Sequence, residues 1–580
     1  MLKPSAVLKL IWPFLLAFVT LPASSQSQAP ADVLIENARI YTVNVHQPWA
    51  DALAIRNAKI VAVGTAKEIE AYRGASTRVL NAKGHAVLPS FTDCHIHFME
   101  GSLGLTHVVL DGATTVAEIQ KRVKAYAVSH PDLPWIQGMG WIYPTFGPSG
   151  MPDKKILDEV VPDRPVFLEA YDGHSSWANS KALQMAGITK STPDPANGKI
   201  VRDPNGEATG ALKEAAGHLV SKLIPKPTRE ERLQALRLGM REANKHGVVR
   251  VHSAGGDFEY LELYNELREK NDLTVRFYIA YFLDPPELKP EEVELIEKAR
   301  KTYHDDWIAG GAVKTMLDGV IEAHTAAMLE PYSDEPTQSG KLFWQPAKYE
   351  AAIAELDRRG LQIFTHSIGD RAVREALDAY QKAEETNHTR DARPRVEHIE
   401  TIAPSDISRF GKLGVIASMQ PLHAYPDDDT LLSWSPAVGP ERTQRAWVWH
   451  SIETSGGVLA FGSDWPVVTL NPWPGVQNAV TRKTTEGNPP GGFVPGERIS
   501  LEDAIKAYTL GAAFAGHREK TEGSIEPGKL ADLIVLDQDI FKEEATELSK
   551  TQVLLTMADG KVVYEAPEWS SLNSLPQEVK

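Results

Sequence analysis

The chain has 580 residues, 42% hydrophobic and 24% charged, an ordinary globular balance on a length sufficient for more than one domain. Its formal net charge of −16 argues against nucleic acid as a partner, because phosphate recognition requires a basic face. The single cysteine, Cys94, excludes an intramolecular disulfide.

The first nine residues carry Lys3 and Lys9, residues 10–21 are nearly all apolar, and small and polar residues follow to Ala29. That pattern reads as a secretory signal peptide over residues 1–29, with a secreted or periplasmic destination, the alternative being an uncleaved N-terminal anchor. The apolar run is short for a membrane span, and no other run reaches spanning length, so no stable span is expected once the leader is removed. Residues 30–86 read as short strands and turns, with runs at 33–43, 52–56 and 59–64. The same texture returns at 531–536 and 553–564, where Asp559-Gly560 is a strong hairpin signal. Residues 30–86 and 523–580 are therefore expected to form one composite β-sandwich.

Between these ends, apolar strand-like runs alternate with helical stretches, which favours a parallel sheet or barrel. Eight strand candidates end near His97, His252, Tyr281, Asp318, His366, His398, Gln420 and Asp464. Thr228-Arg-Glu-Glu231 is a capping box opening an amphipathic helix to about Lys245, and Ser500-Leu-Glu-Asp503 resembles another. Residues 98–225 break the alternation and are rich in Gly, Pro and Trp. They read as a long insertion after the first barrel strand, with Trp135, Trp141 and Trp177 either forming an apolar lid or filling its core.

The chemistry begins at Asp93-Cys94-His95-Ile96-His97. Alternate side chains of a strand share a face, so His95 and His97 can converge on one metal ion while Cys94 faces away as a packing residue. Alone, the pair is a weak signal in a chain with 18 histidines. His366, His398 and Asp464 strengthen it, because each closes a short apolar run of its own, and an α/β barrel builds its active site at the C-terminal ends of its strands. On this reading His95, His97 and Asp464 hold one divalent ion, and His366 and His398 a second. Nitrogen and carboxylate ligands suit Zn²⁺. A bound ion brings the pKa of water to about 7, and Asp464 can take that water's proton and pass it to a leaving group. Lys314, on the fourth strand candidate, reads by itself as a surface or ion-paired lysine; carbamylated by CO₂ it becomes an anionic bidentate ligand. Glu397 should point away from the site by alternation with His398. His252 reads as a hydrogen-bonded histidine behind the site, and Asp370 and Arg371 as a helix-start ion pair.

Several motifs together resemble the metal-dependent amidohydrolase superfamily, specifically its family 3 branch with N-substituted formamide deformylase-like enzymes. They are Leu88-Pro-Ser-Phe-Thr-Asp-Cys-His-Ile-His97, Asp172-Gly-His-Ser-Ser-Trp-Ala-Asn179, Gly206-Glu-Ala-Thr-Gly-Ala-Leu-Lys-Glu214, Thr365-His-Ser-Ile-Gly-Asp-Arg371, Arg395-Val-Glu-His398, Ser418-Met-Gln-Pro421, Gly462-Ser-Asp-Trp-Pro-Val467 and the closing stretch from Gly523 to Asp537. Ser90-Phe-Thr92 departs from the usual glycine and aliphatic residue, which alters a turn and not a ligand. The resemblance implies a distorted (β/α)8 TIM barrel over residues 87–522 with a composite β-sandwich. It also implies hydrolysis of a non-peptide or N-acyl C–N bond of a small molecule through metal-activated hydroxide. The metal roles pass to His95, His97, His366, His398 and Asp464, for one or two ions, and Lys314 becomes a candidate for N6-carboxylation. In the insertion, His174 and Asn179 read either as binders of the substrate's polar group or as loop-stabilising residues. His423 is a candidate substrate contact, and Trp465 either shapes the pocket or packs. A homodimer stays open. The alternatives are an isomerase or lyase on the same site, or a non-catalytic exported binding protein, against which the intact ligand set argues.

Overall fold

The computed structural model describes residues 29–388 and 391–573. The export leader expected over residues 1–29 lies, but for its last residue, outside them. Among the described residues no helix is long and apolar enough to cross a membrane.

Eight parallel strands form the centre: β1 (Phe91–Ile96), β2 (Val248–Gly256), β3 (Arg276–Phe282), β4 (Ile308–Met316), β5 (Gln362–Ser367), β6 (Arg395–His398), β7 (Ile416–Met419) and β8 (Val458–Phe461). They follow one another in unbroken sequence order around the sheet. The ring is drawn together where the Asp464 N–H donates to the His95 carbonyl at 2.7 Å. Gly462 permits this approach, since a Cβ there would stand 2.5 Å from the His95 backbone nitrogen. The result is a distorted (β/α)8 TIM barrel, and its strands coincide with the eight predicted runs. The strands are buried nearly throughout because helices cover the outside and side chains fill the inside. The Thr228–Glu231 capping box opens the helix Arg229–Lys245, which lays Leu233, Leu236, Met240 and Ala243 into the core.

The two ends of the chain meet in a pair of sheets. One holds Lys59–Gly64, Ala52–Arg56, Val33–Glu36 and Arg78–Asn81. The other mixes Arg39–Tyr41 and Ala86–Pro89 with Leu533–Leu536 and Val553–Ala558, pairing Leu88 with Ile534. Ile35, Leu53, Ile55 and Leu80 from the first share one core with Leu533, Val535 and Leu555 from the second. Two buried ion pairs tie this body to the barrel, Arg250–Glu522 at 2.5 Å and Arg276–Asp532 at 3.0 Å.

The insertion carries a six-stranded sheet of its own, running from Gly198–Arg202 at one edge to Val108–Val109 at the other. Trp141 and Trp177 are buried in one of its apolar cores and Trp135 in another, so core filling replaces the lid. Asn179 is corrected in the same way. Its carbonyl accepts from the Val166 and Ala182 N–H groups, and its amide donates to the Val161 and Arg164 carbonyls. With both ends of the side chain committed to backbone, it stabilises the loop and offers nothing to a substrate.

Candidate metal centre

The centre is built around Asp464, which follows β8 with a φ of 61°. One carboxylate oxygen, Oδ1, lies 3.4 Å from His95 Nε2 and 3.2 Å from His97 Nε2. The other, Oδ2, lies 3.6 Å from His423 Nε2 and 3.8 Å from His398 Nδ1. Two sets of donor atoms thus each fall within 4.8 Å of one another, His95/His97/Asp464 and His398/His423/Asp464. Lys314 reaches up from inside β4 to place Nζ 3.3 Å from His95 Nε2. His97 is 33% exposed while its neighbours are buried, so it marks the open side.

His366 stands beside the centre, its ring 4.5 Å from that of His398, but its Nε2 faces the Gly319 carbonyl at 3.1 Å. His423, expected to touch substrate, is brought into a donor set. Its Nδ1 lies 3.8 Å from Glu400, whose other oxygen accepts from Trp434 Nε1 at 2.7 Å. His174 is carried in by the insertion, with Nδ1 3.0 Å from Glu214 and its ring 6.4 Å from that of His366. Trp465 is largely buried against Phe98, and its carbonyl accepts the His97 N–H at 2.9 Å, so it packs and sets the backbone rather than lining a pocket. Cys94 faces away, 3.3 Å from Ser418 Oγ and among Ala460, Ala512 and Ala515. Asp370 accepts the Leu329 N–H and Arg371 lies 3.8 Å from Glu375, so the expected pair between them does not form.

Glu397 overturns its expectation. It is fully buried, inside the barrel, with Oε2 2.5 Å from His95 Nδ1. Alternation along β6 does place Arg395 and Glu397 on one face. It is His398 that departs, because φ values of 75° there and 54° at Ile399 turn its ring back to the mouth. The legible signal was Arg395 itself, a guanidinium on a barrel strand that needs a carboxylate two residues on. His252 sits behind this pair, its Nδ1 3.1 Å from Arg395 Nη1.

The donor set fits a divalent cation. Burial, reinforced by Lys314, lowers His95 to about 4 and holds His366 well below the imidazole range. Burial also lowers His398 well below it, so the rings carry lone pairs. Asp464 runs against its own burial: His95, His97 and His398 keep it well below the usual carboxylate range. Burial lowers Lys314 to about 8, which raises the share of free amine that carbamylation requires above that of an ordinary lysine. Asp464 Oδ1 and His423 Nε2 are buried without a hydrogen bond of proper geometry, despite their close neighbours. Buried polar atoms are otherwise nearly always satisfied. Donor atoms gathered within 4.8 Å of one another, two of them unpartnered, are a set that could hold an ion between them.

Three further acidic side chains, Asp172, Glu322 and Asp429, lie near one another and near Glu400. The Tyr143 hydroxyl donates to Asp172 at 2.8 Å, and the Tyr171 hydroxyl donates to Asp429. Burial, with Glu400 and Asp429 nearby, pushes Glu322 well above the usual range.

A (β/α)8 ring with imidazoles and a carboxylate gathered at the C-terminal strand ends defines a metal-dependent hydrolase. The chain belongs to the amidohydrolase family, whose profile matches residues 78–564. It is 34% identical over 547 residues to the protein LONG AFTER FAR-RED 3 of Arabidopsis thaliana, covering 92% of each chain. It is 27% identical over 548 residues to the N-substituted formamide deformylase of Arthrobacter pascens, covering 92% of this chain and 98% of that one. Among solved structures, an uncharacterized metal-dependent hydrolase from Pyrococcus horikoshii OT3 superposes with a TM-score of 0.71 at 25% identity, covering 88% of this chain and 99% of that one.

Proposed function

We propose that this chain is an exported hydrolase that cleaves a non-peptide or N-acyl C–N bond of a small molecule, using one or two divalent ions, with Zn²⁺ the best fit. The observation that carries the reading is Asp464, set between the His95/His97 and His398/His423 nitrogens with an unpartnered oxygen. Neutral imidazoles with one carboxylate suit zinc better than harder cations. When bound, the ion supplies Lewis acidity and an acidified water.

The remaining work belongs to side chains. Asp464 accepts the attacking water's proton and returns it to the departing nitrogen, which leaves poorly as an anion. His174, anchored by Glu214 through Nδ1, has its other ring nitrogen for a polar group of the substrate. The Asp172 and Asp429 carboxylates favour neutral or cationic substrates over anionic ones. Similarity to a formamide deformylase supports an N-acyl or N-formyl bond. Lys314, with Nζ 3.3 Å from His95 Nε2, is our candidate for carboxylation, which would give the site a further anionic ligand. Lys314→Ala should then lose one equivalent of metal, partly restored by a short carboxylic acid. Export rests on the pattern of residues 1–29, and the intact mass of protein from the envelope fraction tests it.

The deciding experiment incubates zinc-loaded protein with a panel of N-formyl, N-acyl and cyclic amides in H₂¹⁸O. Release of amine with one ¹⁸O in the acid product supports the reading. Isomerised or eliminated products without ¹⁸O contradict it.

A further inference from the structure

We infer that Glu397 is the positioning residue that makes His95 a ligand, by holding the ring proton on Nδ1 so that the Nε2 lone pair faces the ion. Glu397 Oε2 lies 2.5 Å from His95 Nδ1 with both side chains fully buried. Its two oxygens also accept from Arg395, Oε1 from Nε at 2.8 Å and Oε2 from Nη2 at 3.1 Å. Arg395 is pinned in turn. It donates to Ser418 Oγ at 2.8 Å and to the Cys94 carbonyl, and its guanidinium lies over the Phe364 ring at 3.7 Å.

A carboxylate paired with a guanidinium only accepts hydrogen bonds, so the proton between Glu397 and His95 belongs to Nδ1. In neutral imidazole the other nitrogen is then an acceptor. On the far side of the ring Nε2 faces both Lys314 Nζ, a donor, at 3.3 Å and the Asp464 carboxylate at 3.4 Å. A carboxylate behind a ligating histidine fixes its tautomer and raises its basicity. The hydrogen bond at His398 Nδ1 goes to the neutral Gln420 carbonyl, 2.8 Å away, with the Asp464 carboxylate farther off at 3.8 Å. The Arg395–Glu397 pair therefore acts on His95 specifically and not on the whole donor set.

This inference rests on the metal reading above, but its test needs no substrate. In metal-stripped protein labelled with ¹⁵N-histidine, and with His95 assigned by its loss in His95→Gln, the His95 ring should show the Nδ1–H tautomer. A Nε2–H tautomer in the wild-type protein overturns the inference, and this holds even if no variant folds. In a zinc titration against a chelator, Glu397→Gln should weaken binding by about 10-fold or more, and because it leaves Arg395 buried without its paired carboxylate it should also lower the melting temperature of the metal-free protein. Ser418→Ala, which removes a different Arg395 partner, should lower the melting temperature and leave zinc affinity unchanged. A Glu397→Gln protein with unchanged zinc affinity contradicts the inference. If zinc affinity in the wild-type protein does not depend on His95, the metal reading fails, and the tautomer result still judges Glu397.

Discussion

Asp464 and His95 are joined twice, once through backbone and once through side chain. The Asp464 N–H donates to the His95 carbonyl at 2.7 Å, while Asp464 Oδ1 stands 3.4 Å from His95 Nε2. The contact that draws the last barrel strand to the first is therefore the contact that assembles the donor set. Closure of the ring and assembly of the site thus share the same two residues.

Asp464→Asn should keep the fold and much of the metal, because its backbone link to His95 is untouched. It should lose turnover by about 10²–10⁴-fold, the usual cost of removing a general base. His95→Ala should lose metal and activity together. Metal content and rate on a substrate from the amide panel separate the two. Near-wild-type turnover in Asp464→Asn removes the proton-transfer role.

The composite sandwich should be coupled to the barrel through Arg276 and Asp532, both buried, at 3.0 Å. Asp532→Asn removes the nearer carboxylate from the buried guanidinium and leaves it Asp559 at 3.4 Å, so the cost should approach but not exceed the about 3–5 kcal/mol of a fully broken buried pair. Denaturant unfolding measures it. A loss below about 1 kcal/mol, the range of exposed pairs, would show that the Arg276–Asp532 pair does not couple the two bodies.

The His174–Glu214 pair gives a pH signature. Burial opposes the charge on His174, but Glu214 outweighs it and raises His174 to about 9, above its ordinary 6.5. A histidine raised on folding contributes stability that is full below its unfolded pKa and lost as pH rises through the folded one. Thermal stability should therefore fall between pH 6.5 and 9, and His174→Gln should flatten that limb. An unchanged limb in His174→Gln shows that another group titrates there.

The eight strands, the capping box and the meeting of the two ends were legible because each depends on local periodicity or on turn chemistry. His95, His97 and Asp464 were legible for a related reason: strand ends and an i, i+2 spacing place them. Glu397 was not, because a positive φ at His398 breaks the alternation from which its direction was inferred. Asn179 resembled a substrate contact by its motif, yet its amide is consumed by backbone groups that no spacing rule reveals. His423 sits on a short helix after β7, at Pro421–Ala424, whose direction depends on tertiary packing.

The most direct measurement is a crystal soaked in zinc and read by anomalous scattering at the zinc edge. A peak within about 2.0–2.2 Å of His95 Nε2, His97 Nε2 and an Asp464 oxygen, absent in His95→Ala crystals, is the expected result. Zinc bound elsewhere, or hydrolysis of amide substrates undiminished in metal-stripped protein, would contradict a metal centre built on Asp464.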